Sequence, residues 1–206
     1  MTKALILVDI QNDFLPDGAL AVPDGDQVIP VANQLIPKFE LVVATQDWHP
    51  ANHGSFASMH PAHQPGDLIE LHGLEQILWP DHCVQESKGA EFATELNLPE
   101  SAHVFRKGTD ESIDSYSGFF DNGHRKATGL GDFLQQRQVS EVYIVGLATD
   151  YCVKFTALDA RQHGFNTHLI LPGCRGVNLC DGDVDAAITE LKQTGVLVHD
   201  QQPLLK

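Results

Sequence analysis

The chain is poor in basic residues, and this shortage excludes two broad classes of partner. Only 13 lysines and arginines stand against 28 aspartates and glutamates in 206 residues, which gives a formal net charge of -15 at pH 7. A surface of this sign repels both a phosphate backbone and anionic lipid headgroups. We therefore expect no nucleic-acid partner and no membrane partner, and a small molecule as the ligand.

Long apolar runs and cysteines are also scarce. No segment approaches the roughly 18 uninterrupted apolar residues of a membrane helix, and the first residues show no signal-peptide pattern. We expect a cytoplasmic protein, in which the thiols are reactive or buried rather than paired in disulfides. The sequence is compatible with either a monomer or a homo-oligomer. The four cysteines are Cys83, Cys152, Cys174 and Cys180.

What is present indicates one α/β domain over residues 1–206. Hydrophobic residues make up 42% of the chain, enough for the core of a single domain. Short apolar runs alternate with helical periodicity, which predicts a parallel sheet with its ligand site at the carboxyl ends of the strands. The strand candidates are 4–8, 41–44, 103–105, 142–145, 168–171 and 196–198, and the helix candidates are 28–39, 129–138, 151–163 and 183–194.

A long segment of little periodicity, residues 45–98, has the composition of a metal site. Asp47 and His49 stand at i and i+2, so in extended backbone their side chains leave the same face. His82, in a stiff proline-containing turn, is the candidate third ligand, and His53 is a weaker fourth. These donors suit zinc, ferrous iron or manganese. Cys83 is either a thiolate ligand or a buried spacer. A lone Asp-x-His pair more often consists of polar loop residues that bind no metal. The segment holds His49, His53, His60, His63, His72 and His82.

A candidate nucleophile follows the apolar run 142–145. Small residues after Gly146 predict a tight turn, and Cys152 is predicted to open a helix, whose positive end stabilises a thiolate and an oxyanion. Asp9 and Lys107 follow other predicted strands, so we expect them at the same sheet edge. A carboxylate can take the thiol proton while an ammonium keeps it ionised. Taken singly, a structural thiol, a turn-forming aspartate and a solvated lysine are the commoner interpretations.

Six motifs along the chain resemble the isochorismatase-like superfamily of cysteine hydrolases, and within it the nicotinamidase and pyrazinamidase group. The resemblance implies a Rossmann-like three-layer fold with six parallel strands. It also implies a catalytic triad of Asp9, Lys107 and Cys152, and metal ligands at Asp47, His49 and His82. The motifs are 8–14, 46–53, 79–84, 107–108, 114–117 and 146–153.

The same resemblance implies the details of a reaction. It implies a cis peptide between Leu147 and Ala148, an oxyanion hole formed by the NH groups of Ala148 and Cys152, and a pyridine ring held between aromatic walls. The implied activity is metal-dependent hydrolysis of nicotinamide to nicotinic acid and ammonia, and of pyrazinamide, through a thioester and in NAD salvage. The implied cofactor is one divalent ion, zinc before iron or manganese. The aromatic walls are Phe14, Trp79 and Tyr116.

Three alternatives stay open at this point. An amidase for carbamoyl or ureido substrates would keep the triad but would not need a metal-bound ring. An isochorismatase proper would lack the nucleophilic Cys152. A catalytically silent protein would use the histidine-rich segment as a structural zinc site.

Overall fold

The computed structural model describes residues 2–201 and contains a six-stranded parallel sheet, as the sequence predicts. The order of its strands is β5-β2-β1-β6-β7-β8, and β3 and β4 form a separate antiparallel hairpin. The strands are β1 Thr2–Val8, β2 Leu41–Asp47, β3 Leu68–Leu71, β4 Leu74–Ile77, β5 His103–Lys107, β6 Val139–Leu147, β7 Asn166–Arg175 and β8 Leu197–His199.

Helices cover both faces of this sheet. Leu5 and Leu7 of β1 belong to the core on the α1 side, whereas Ala4, Ile6 and Val8 belong to the core that α2, α3 and α4 complete. This burial on both faces is why the β1 sequence is a continuous apolar run. Among the described residues, no helix combines the length and apolarity needed to span a membrane. The helices are α1 Val28–Leu35, α2 Leu130–Gln136, α3 Lys154–Gln162 and α4 Asp183–Gln193.

The topology creates a crevice between β1 and β6. The chain proceeds from β1 through β2 to β5 on one side, and from β6 through β7 to β8 on the other. Ligands of parallel sheets bind at such a reversal, beyond the carboxyl ends of the strands. Gly146 lets the two strands approach here, because a Cβ at this position, with φ at +132°, would lie 2.1 Å from the carbonyl oxygen of Val8.

The hairpin was not predicted. Residues 45–98 are expected to lack regular structure, which is wrong for β3 and β4. Both strands are only four residues long, and the turn between them places His72 and Gly73 at positive φ, as a tight hairpin turn requires. One residue of β4, Gln76, is only 3% exposed. The hairpin therefore sends a polar side chain towards the crevice.

Candidate active site

The ammonium group of Lys107 lies at the centre of the crevice. Its Nζ is 2.8 Å from Asp47 Oδ1, 2.9 Å from Asp9 Oδ2 and 3.4 Å from Cys152 Sγ. It also donates to the carbonyl oxygen of Ser115 at 2.8 Å. Lys107 and Asp47 are register partners at the ends of β5 and β2, so the sheet itself sets their proximity. The structure thus brings together the three residues that the sequence placed at one edge.

The charged groups of this cluster stabilise one another in their ionised forms. Burial alone lowers the pKa of Lys107, but Asp47 and Asp9 outweigh it and hold the pKa well above its ordinary value. Burial raises the pKa of Asp47, yet His49 and Lys107 bring that pKa well below the ordinary range. The lysine is therefore a permanent cation, and Asp47 is a permanent anion.

Asp9 presents one carboxylate oxygen as a proton acceptor. It follows β1 with φ at +47°, a conformation that non-glycine residues rarely adopt. Its Oδ1 accepts a hydrogen bond from Thr45 Oγ1 at 2.6 Å, whereas Oδ2 has no hydrogen-bond donor among residues 2–201. The Lys107 ammonium lies 2.9 Å from this Oδ2 and forms a buried ion pair with it. Burial raises the pKa of Asp9, against the opposing charge of Lys107.

The surroundings of Cys152 differ from the prediction. The residue does not open an α-helix; it lies in a π-helical turn, Thr149–Val153, which precedes α3. Burial raises the pKa of the Cys152 thiol well above its ordinary value, and Asp9 adds to this although Lys107 opposes it. The resting sulfur is therefore a thiol, and its deprotonation needs an acceptor. A carboxylate oxygen of Asp9 lies within 4.8 Å of the sulfur.

Asp47, His49 and His82 present the donor set of a metal site. His49 Nε2 is 3.2 Å and His82 Nε2 is 3.5 Å from the same oxygen, Asp47 Oδ2. Each Nδ1 faces a backbone carbonyl, that of Gly108 at 2.9 Å or Pro80 at 2.7 Å. Donation from Nδ1 leaves an Nε2 lone pair on each ring, the usual arrangement of metal-binding histidines. His49 Nε2 has no hydrogen-bond partner among the described residues. These residues fit a divalent ion.

His53 is close to this set, but both of its nitrogens are engaged. Nδ1 accepts from the backbone NH of Ser55 at 3.2 Å, and Nε2 faces the carbonyl of Ile113 at 3.4 Å. Burial lowers its pKa to about 4. Cys83 is a buried spacer whose backbone NH donates to Asp13 at 2.7 Å. Among the described residues, the potential metal ligands that cluster with both Asp47 and His49 include His82 but neither His53 nor Cys83.

A cavity opens onto both halves of the cluster. The three aromatic residues expected from the sequence line it, and Tyr151 adds a ring that meets Trp79 edge-on with centroids 4.9 Å apart. The Leu147–Ala148 peptide is cis, as the resemblance implies. Leu20 and Val177 were not predicted, because they lie in irregular segments without a motif. The lining residues are Phe14, Leu20, Asp47, Trp79, His82, Asp114, Tyr116, Ala148, Tyr151, Cys152 and Val177.

Comparison with known proteins identifies the family. The profile of the isochorismatase domain matches residues 3–203. The chain belongs to the isochorismatase family. It is 51% identical over 201 residues to the nicotinamidase of Escherichia coli, an alignment that covers 96% of this chain and 94% of that protein.

Two solved structures of this family are similar throughout. An Acinetobacter baumanii nicotinamidase and pyrazinamidase has a TM-score of 0.93 at 48% identity, over 96% of this chain and 95% of that one. The pyrazinamidase of Pyrococcus horikoshii in complex with zinc has a TM-score of 0.81 at 40% identity, over 98% of this chain and 100% of that one. The three-layer arrangement, one sheet with helices on both faces, is therefore the fold of this family.

The close packing of Gly108 against the His49 ring allows a test of the metal site. A Cβ at Gly108, with φ at +62°, would lie 2.4 Å from His49 Cε1. Gly108→Ala should displace the ring and lower zinc affinity about 10- to 100-fold, as loss of a supporting contact does. Zinc titration against a chromophoric chelator measures this. Gly66→Ala is the matched control, since φ there is +94° with no atom within 4 Å of the new Cβ. Equal affinities in the two variants would contradict the assignment.

Proposed function

We propose that this chain is a metal-dependent nicotinamidase, a cysteine amidase that hydrolyses nicotinamide to nicotinic acid and ammonia. The observation that carries the proposal is one cavity lined both by Cys152 and by the metal-donor residues Asp47 and His82. A flat pyridine ring carrying a carboxamide needs both features, one for its ring nitrogen and one for its carbonyl carbon. The high identity to the E. coli nicotinamidase supports the same substrate.

The walls of the cavity suit an uncharged aromatic ring. Phe14, Trp79 and Tyr116 offer flat apolar surface, and ligand sites of this kind combine such walls with a few placed polar groups. The Tyr116 hydroxyl accepts from Trp79 Nε1 at 3.1 Å and from Gln76 Nε2 at 3.2 Å, which fixes both side chains. The hydrogen bond between Trp79 and Tyr116 therefore orients two of the three aromatic walls.

Acylation uses Asp9 Oδ2, which is ion-paired with Lys107 and accepts no hydrogen bond from the described residues. As Cys152 Sγ forms its bond to the carboxamide carbon, the thiol proton passes to Asp9 Oδ2, and the carbonyl oxygen becomes an oxyanion. The backbone NH groups of Ala148 and Cys152 receive this oxyanion. Lys107 remains protonated throughout and offsets the negative charge that moves between sulfur and carboxylate.

Loss of ammonia completes acylation, because the C–N bond breaks as the nitrogen takes the proton held by Asp9 and the thioester forms. In deacylation, water gives a proton to Asp9 and adds to the thioester carbon, the S–C bond breaks, and Asp9 returns the proton to Cys152. Asp9 therefore acts as base and then as acid in each half of the reaction, which its raised pKa favours.

Asp47, His49 and His82 would hold the divalent ion, which when bound supplies a Lewis acid for the pyridine nitrogen and so orients the ring. The chain's own residues prepare this site through the carbonyls of Gly108 and Pro80, which fix both histidine tautomers. Zinc is the favoured ion because the similar P. horikoshii pyrazinamidase is described in complex with zinc. The same donors also accept iron or manganese.

The wider role follows from the substrate. We assign the reaction to NAD salvage in the cytoplasm and expect pyrazinamide, which carries the same carboxamide on a similar ring, as a second substrate. An amidase for carbamoyl substrates is the competing interpretation. The N-carbamoylsarcosine amidase of Thermoplasma acidophilum has a TM-score of 0.73 at 20% identity, and this likeness extends to the fold alone.

Replacement of the proposed nucleophile tests the function. Cys152→Ala should lower kcat for ammonia release from nicotinamide by about 10³-fold or more, because the covalent route is lost, and should leave zinc content unchanged. Cys180→Ala, which alters an exposed thiol, should keep full activity. Chelation of the wild type should also abolish turnover. Substantial activity of Cys152→Ala would exclude the thioester, and absence of nicotinamide turnover by the zinc-loaded wild type would exclude the substrate.

The hydrogen bond from Thr45 to Asp9 predicts a pH effect. That bond lowers the pKa of Asp9, so Thr45→Val should raise the pKa further. Asp9 must be ionised to accept the thiol proton, and protonation removes activity as the pH falls. The acid limb of the kcat/KM profile should therefore move to higher pH in Thr45→Val and stay near wild type in Thr45→Ser. An acid limb that is unmoved, or moved to lower pH, would exclude Asp9 as the base.

A further inference from the structure

Asp114 is a buried carboxylate that the reaction described above does not use. It is 3% exposed and lines the cavity beside Asp47 and His82. Its Oδ1 accepts from the backbone NH of Ser115 at 2.7 Å, and its Oδ2 accepts from Gln76 Nε2 at 3.0 Å. Both donors are neutral, and within residues 2–201 no lysine, arginine or histidine forms an ion pair with it. A buried carboxylate without a cation is costly.

The carboxylate is close to the metal-donor set. Ligand atoms of His49, His53 and Asp114 lie within 4.8 Å of one another, so this group shares His49 with the set formed by Asp47 and His82. The nitrogens of His53 are already engaged by Ser55 and Ile113. An ionised carboxylate has about four lone-pair sites, and the two hydrogen bonds to Asp114 leave some of them free. Asp114 is therefore a second carboxylate, besides Asp47, that lies near His49 and can interact with a bound cation.

The charge of the buried cluster points the same way. Asp9, Asp47 and Asp114 carry three carboxylates and Lys107 carries an ammonium, whereas histidines that bind a metal do so as neutral rings. When all four groups are ionised, two negative charges remain without compensation in a site shielded from water. One divalent cation neutralises that excess. Without Asp114, the same cation would leave the cluster with a net positive charge.

We propose that Asp114 is the second carboxylate of the divalent-cation site, held in place by Gln76 of the unpredicted hairpin. It attracts the ion and completes the neutral charge of the loaded cluster. This inference rests on the metal dependence proposed above. It assigns a positioning role to Gln76 and a metal-site role to a residue that the triad and the three donors do not include.

The test measures zinc affinity and thermal stability of Asp114→Asn. Zinc titrated into the metal-free protein against a competing chelator should bind about 10- to 100-fold more weakly than in the wild type. The Tm of the metal-free variant should equal or exceed that of the wild type, since one repelling charge has been removed, while the rise in Tm on zinc loading should shrink. A merely structural role would instead lower the Tm of the metal-free protein and leave zinc affinity unchanged, which would overturn the proposal.

Two matched variants sharpen the result. Asp132→Asn makes the same charge change at an exposed position of α2 and should bind zinc as the wild type does. His53→Asn should lose less zinc affinity than Asp114→Asn, and the opposite order would overturn the proposal. If Asp114→Asn does not fold, Gln76→Met removes the hydrogen bond to Oδ2 and should weaken zinc binding to a smaller extent; wild-type affinity in it would count against the proposal.

The outcome also separates this inference from the function on which it rests. A wild type that binds zinc and hydrolyses nicotinamide, with Asp114→Asn equal to it in zinc affinity, would refute the role of Asp114 alone. A fully folded wild type that binds neither zinc, iron nor manganese would refute the metal dependence and, with it, the role of Asp114.

Discussion

The ammonium of Lys107 is the contact on which both halves of the site depend. Its four short contacts join Asp9, the proposed base, to the thiol of Cys152, to Asp47 of the proposed metal site and to the segment that carries Ser115. A cation buried in this way persists only while carboxylates surround it, and the carboxylates persist only while a cation does. The proposed catalytic and metal-binding residues are therefore one electrostatic unit rather than two neighbouring sites.

The same unit bears on the protonation of Cys152, the proposed nucleophile. Burial favours the uncharged forms of both Cys152 and Asp9, and the nearby charge of Lys107 opposes that preference in each case. One proton shared between sulfur and carboxylate can therefore move with little change in the surroundings. A divalent ion at Asp47 would add positive charge near the sulfur and ease the loss of that proton. Binding of the ion and reactivity of the thiol are thereby coupled.

Much of this arrangement follows from the sequence because it depends on strand ends. Asp9 closes a continuous apolar run, and Lys107 and Asp47 end paired strands, so a parallel sheet alone brings them to one edge. The hairpin β3–β4 was not predicted because its strands are short and their apolar residues do not alternate clearly with polar ones. The contact of Gln76 with Asp114, on which the proposed role of both residues rests, depends on that hairpin. The raised pKa of Cys152 likewise depends on burial by distant segments, which no local pattern reports.

The most direct test of the central role of Lys107 is the pH dependence of Cys152 alkylation by iodoacetamide in Lys107→Met and wild-type protein, read by peptide mass spectrometry. The lysine charge lowers the pKa of the thiol, so its removal should slow the reaction and move its inflection to higher pH. An unchanged profile in the folded variant would contradict the account, because it would show that the thiol does not respond to the cation that joins it to the rest of the site.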